Sequence, residues 1–173
     1  MPLSLYDASV PTYLQTLDAV DGFLGKGLAW ARDNAIDPES IVETRIAADM
    51  HPFRFQVQSV VFHSVGAVEA IRSGVLTISG ERPAHDYAGL QALVGEARTA
   101  LRALSPEAVN ARSGAEVVFT ARGMDRVFTA EGFLLSFSLP NFYFHASMAY
   151  AILRGKGAPV GKLDYVGALR LKA

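Results

Sequence analysis

His145 closes the stretch LPNFYFH, and His63 sits in VVFHSVG; both stretches carry helical apolar spacing. An imidazole can hold a metal, move a proton near neutral pH, or satisfy a hydrogen bond in a core. On a helical wheel Phe142, Ala146, Ala149 and Leu153 share one stripe, and Asn141, His145, Met148 and Ile152 share the next. The two stripes make a wide inner face, so His145 is expected at a core edge, turned inward. His63 flanks the inner face of an earlier helix, formed by Phe53, Val57, Val60, Val61, Ser64 and Val68. Histidines on different helices can meet inside a bundle, where such folds build metal and ligand sites. Asn141, His145, Met148, Gln56 and His63 are therefore the candidate pocket. The competing reading makes both histidines structural, each hydrogen-bonded to a carbonyl or carboxylate. His51, at a helix start, and His85, in a loop, read as surface residues.

A protein-held divalent ion needs at least three protein ligands. His63 and His145 supply two, and the chain has no cysteine. No cofactor is expected on this count. A divalent metal on His63 and His145 would need a third ligand from elsewhere, such as Asp49 or Gln56. Other motifs fail on mechanics. GKGAPVGK lacks phosphate-loop spacing, and Leu163 stands where a magnesium-binding hydroxyl is needed. No Gly-x-Ser-x-Gly elbow is present. Glu69 and Arg72, three apart, read as a surface ion pair.

Four long helices have to position these residues. Leu14, Leu17, Leu24, Leu28 and Ala31 mark the first, Tyr13 to Asn34. The second opens near DMHPF, with Asp49 as cap and Pro52 in the first turn, and ends by Gly74. The third spans Asp86 to Leu104. The period then changes: Val117 to Thr120 and Arg126 to Thr129 are short β-branched or aromatic runs around ARGMD, a hairpin signal. A short helical turn follows Thr129, and the fourth long helix runs from Pro140 to near Gly155. The tail reads as loop plus a short ordered segment, with Tyr165 and Leu169 packing back. The fold class is mainly all-α: a four-helix bundle with a small two-stranded β-ribbon between the third and fourth long helices, as a single domain over residues 1–173.

The chain of 173 residues has 16 basic and 17 acidic side chains, net −1. It has no basic stripe for nucleic acid or an anionic membrane surface. No apolar run approaches the roughly 20 residues of a membrane span. MPLSLYDASVPTYL lacks the basic and apolar regions of a signal peptide, so a cytoplasmic location is expected.

Two blocks carry a resemblance. LPNFYFH with AYAILR and GK-DY-G, together with ADM-PF--QVQ, resembles the domain-of-unknown-function family numbered nineteen ninety-three, over nearly the whole chain. That family looks like a branch of the DinB-like superfamily. The resemblance implies a four-helix bundle. It also implies a divalent metal on three histidines, one from the second helix and two, four apart, from the fourth; relatives include metal-dependent thiol transferases and isomerases. His63 matches the second-helix ligand and His145 the first of the fourth helix, but four residues on stands Ala149. The expected function is a small-molecule-binding or stress-linked protein with an incomplete metal site. The alternative is a divalent-metal-dependent transferase or hydrolase using His63 and His145 with a third ligand not identified. A second alternative is a non-catalytic interaction protein that forms a homodimer through exposed aromatics.

Overall fold

A computed structural model describes residues 3–78, 82–121 and 123–172. α1 spans Leu5–Asp33, starting well before Tyr13. Ser4 Oγ accepts the Asp7 N–H at 3.1 Å and caps it. Pro11 lies inside and gives up one backbone hydrogen bond, but Leu5, Val10 and Tyr13 are buried around it. Burial here outweighs the cost of a proline inside a helix.

After α2 (Glu39–Val42), the expected second long helix is two helices, α3 (Phe53–Phe62) and α4 (Val65–Ser73). The break falls at His63 and Ser64. Ser64 Oγ donates to the Val60 carbonyl at 2.8 Å, the kind of back-bond that bends a helix. Gly74 ends α4 with φ 84° and leads straight into β1 (Val75–Thr77). α5 (Tyr87–Arg102) is capped by Asp86, whose Oδ1 accepts the Gly89 N–H at 2.7 Å. Then come α6 (Pro106–Asn110), β2 (Glu116–Ala121) and β3 (Met124–Thr129).

The two-stranded ribbon is thereby corrected to a three-stranded sheet in the order β1-β2-β3. β1 is parallel to β2 (Val75 opposite Val118), and β2 antiparallel to β3 (Val118 opposite Val127). β1 is only three residues long and its partner is remote in sequence, so no local period marks it.

α7 (Ala130–Phe133), a wide π-type turn over Leu134–Ser138, and α8 (Leu139–Gly155) follow without interruption. Pro140 explains the wide turn: it has no N–H to donate, and its ring crowds the carbonyl four residues back. The short α9 (Lys162–Val166) returns to α1. The described residues are mostly helical. α1 packs on α5 and α8, and α3 packs on the same two helices, so these four surround the core. The sheet lies against α4 and α7. Its Phe119 and Phe128 meet Phe133 and Phe137 in an aromatic cluster beneath the α3–α4 break.

Candidate functional site

His63 caps the C-terminus of α3, and its ring lies beside that of His145 from α8: centroids 5.6 Å apart, planes 12° from parallel. Gln56 and His63 are seven residues apart, two turns along one face of α3. Gln56 Nε2 donates to the His51 carbonyl at 2.9 Å. That contact fixes the amide, so its Oε1 accepts from His145 Nδ1 at 2.8 Å. His145 is thus held as the tautomer with its proton on Nδ1 and a lone pair on Nε2. Phe55 and Phe144 pack edge-on against His145, and Phe62 and Phe137 against His63.

His63 is 5% exposed, and its Nδ1 is buried without a hydrogen-bond partner among the described residues. Burial, then the neighbouring His145 and Arg82, push its pKa down to about 3. His145 is pushed down to about 4, by burial first, then by Arg82 and His51. Both rings are neutral at physiological pH.

The α3–α4 break leaves the His63 carbonyl without a helical partner, and Ser138 from the π-type turn takes it. Ser138 Oγ donates to the His63 carbonyl at 2.7 Å. The serine proton is thereby used, so the buried Tyr13 hydroxyl donates to Ser138 Oγ at 2.5 Å. Burial raises the Tyr13 pKa far above the ordinary phenol value. Three segments, α1, the break and the wide turn, are locked behind the imidazole pair.

Arg82, in the connection before α5, forms the other wall. Its guanidinium lies 4.3 Å from the Phe55 ring centre and 5.3 Å from that of Phe62. Nη1 donates to Ser59 Oγ at 2.6 Å and to the Phe55 carbonyl at 3.4 Å. Phe55, Ser59 and Phe62 make one stripe of α3. Gln58 secures the same connection: its Nε2 donates to the Pro83 carbonyl at 2.7 Å and to His85 Nδ1 at 2.8 Å.

Of the expected site residues, Gln56, His63 and His145 come together. Asn141 is half-buried and donates to the Phe137 carbonyl at 2.7 Å, inside the wide turn. Met148 is half-buried three residues beyond His145. One surface reading changes, since His85 is half-buried on Gln58; His51 is exposed, as expected, and stacks on Phe55 at 3.8 Å. Arg82, Ser59, Ser138 and Phe55 were not singled out from sequence. The Phe55-Ser59-Phe62 spacing was available there, but nothing local tied it to an arginine in a loop.

The donor set falls short of a three-histidine metal group. Ala149 is fully buried and ends in a methyl. Among the described residues, no three His, Cys, Asp or Glu side chains gather where they could hold an ion. Gln56 Oε1 is already engaged by His145.

Residues 5–166 match the family described as a domain of unknown function, DUF1993. The chain belongs to the DUF1993 family. No curated protein matches it. The DUF1993 chain is also similar to a crystal structure of a DinB family member protein from Shewanella denitrificans, with 27% identity and a TM-score of 0.81. The match covers 98% of this chain and 95% of that one. No helix of the described residues is long and apolar enough to cross a membrane.

Proposed function

We propose that this DUF1993 protein binds a small molecule between the second and fourth long helices of a DinB-like four-helix bundle, recognising it with side chains and not with a resident metal. The observation that carries the reading is the Gln56 carboxamide on His145 Nδ1, itself fixed by the His51 carbonyl. It orients a neutral imidazole whose Nε2 can accept from a ligand, next to the equally neutral His63. A cytoplasmic, stress-linked role belongs to the same reading. Metal analysis of protein purified without a metal-binding tag tests it. The expected result is far less than one equivalent of zinc, nickel or iron. Near-stoichiometric metal, lost in His145→Ala, would overturn it.

A second reading is a divalent-metal-dependent transferase or hydrolase. The juxtaposition of His63 and His145 at 5.6 Å favours it, because the DinB-like resemblance implies metal ligands at these two positions. It requires a third ligand, and the same metal analysis decides. A third is a non-catalytic homodimer, favoured by Tyr143 and Phe144 on the outer face of α8, 40% and 53% exposed. Solution mass tests it.

A further inference from the structure

The wall opposite the histidines carries a charge that its described surroundings do not balance. Arg98 shows how this fold treats another partly covered arginine: it takes both Asp18 and Asp21. Arg82 is half-buried, yet among the described residues no carboxylate lies within ion-pair reach of it. The neighbouring imidazoles are neutral and cannot serve as counter-ions. A guanidinium taken from water without a counter-charge is costly, and the two aromatic rings recover only part of that cost.

The hydrogen bonds divide the guanidinium in two. Nη1 is spent on Ser59 Oγ and the Phe55 carbonyl. Among the described residues, nothing accepts from Nε and Nη2. Those two N–H groups are one edge of the fork, parallel and spaced for the two oxygens of a carboxylate. One guanidinium is matched by one negative charge, whereas a phosphate would bring up to two. His63, near enough to feel the Arg82 charge, has a buried Nδ1 without a partner among the described residues, so polar groups of both residues are under-satisfied. Phe55 and Phe62 make the rest of the wall apolar.

We infer that Arg82, seated on Phe55 and Phe62 beside His63 and His145, anchors the carboxylate of a small, largely apolar organic acid. The inference rests on the small-molecule reading above and adds the class of ligand.

Benzoate, its neutral analogue benzamide, and inorganic phosphate are the probes, titrated calorimetrically into full-length, untagged, chelator-treated protein. Benzoate should bind at least about tenfold more tightly than benzamide, the difference a charge-assisted fork makes. Arg82→Gln should abolish that preference. Arg82→Lys, which keeps the charge but not the fork, should retain only part of it. The benzoate–benzamide comparison needs no variant, so it stands even where Arg82→Gln folds poorly. Equal affinity for the two, no benzoate binding, or a preference unchanged in Arg82→Gln would overturn the inference. Phosphate binding as tightly as benzoate would overturn the carboxylate assignment. Metal-free protein that ignores benzoate removes this inference and leaves the metal-free reading intact. Stoichiometric metal in untreated protein removes that reading, while Arg82-dependent benzoate binding after chelation keeps this one.

Discussion

His63 and His145 share a stability signature that pH exposes. Both have folded-state pKa values below the ordinary histidine value of 6.5, at about 3 and about 4. The unfolded chain therefore binds protons that the folded chain refuses, and stability rises with pH wherever that holds. The contribution is complete above the unfolded value and is lost as pH falls from 6.5 toward 4 and 3. Each ring can add a slope of at most about 1.4 kcal/mol per pH unit, reduced by whatever solvent reaches it. The urea midpoint should drop between pH 7 and pH 5, and less steeply in His145→Gln than in the natural chain. Parallel profiles would show that the pair does not carry the dependence. The histidines were legible because helical period alone turns both inward. The role of Gln56 was half legible: it stood among the candidate pocket residues, but its hold on His145 could not be read. Arg82 was invisible, since SGERPAHDYAG has no period and its partners lie on α3.

At the scale of elements, two interruptions make the site, and neither shows in a wheel. The break at His63 and Ser64 frees a carbonyl, and the wide turn before Pro140 delivers the serine that takes it. Ser138→Ala should leave the buried Tyr13 hydroxyl without its acceptor and the His63 carbonyl without its donor, costing about 1–3 kcal/mol. Tyr13→Phe should cost less, because Ser138 still serves His63. A double-mutant cycle in urea should return a coupling of about 0.5 kcal/mol or more; strict additivity would mean the three groups are not one network. Helix contact makes a second test. A Cβ on Gly27 would lie 2.7 Å from Leu153 Cδ2 and from the Tyr87 hydroxyl, whereas one on Gly22 meets nothing within 4 Å. Gly27→Ala should destabilise by about 1–3 kcal/mol through overpacking. Gly22→Ala, on the same helix, should stabilise by about 0.5–1 kcal/mol. Equal signs in thermal melts would contradict the close approach of α1 to α5 and α8. The long amphipathic runs were readable because their period repeats. The π-type turn and the three-residue β1 were not: the turn interrupts the helical period just before Pro140, and β1 pairs with a strand distant in sequence.

For the whole molecule, the question is what closes the seam between the first and last long helices. Tertiary packing of these helices follows from their apolar faces, which is why the architecture could be anticipated; the closure comes from the tail. Ala158 and Val160 are buried. Gln15 Nε2 of α1 donates to the Val166 carbonyl at 3.2 Å, and Lys26 of α1 pairs with Asp164. Tyr165 packs on Tyr150 of α8 at 5.8 Å and accepts from Ser147 Oγ at 3.0 Å. Leu169, expected to pack with it, is instead 62% exposed. Gly167 has φ 68° and runs so close to α1 that a Cβ would lie 3.2 Å from the Gln15 carbonyl oxygen and the Ala19 Cβ. The surface ion pair adds little. Burying Val160 contributes more, about 1.5–3 kcal/mol for a fully buried side chain of this kind, and the half-buried Tyr165 ring adds a smaller share. Truncation after Gly157 should therefore lower the melting temperature by about 5–10 °C, at roughly 2–4 °C per kcal/mol for a chain of this size. Truncation after Gly167 should change it little, since the described residues lost, 168–172, are exposed. Gly167→Ala should fall between the two, combining a left-handed backbone with a contact that has no room to give. If truncation after Gly157 melts with the full chain, the tail is not what holds α1 to α8.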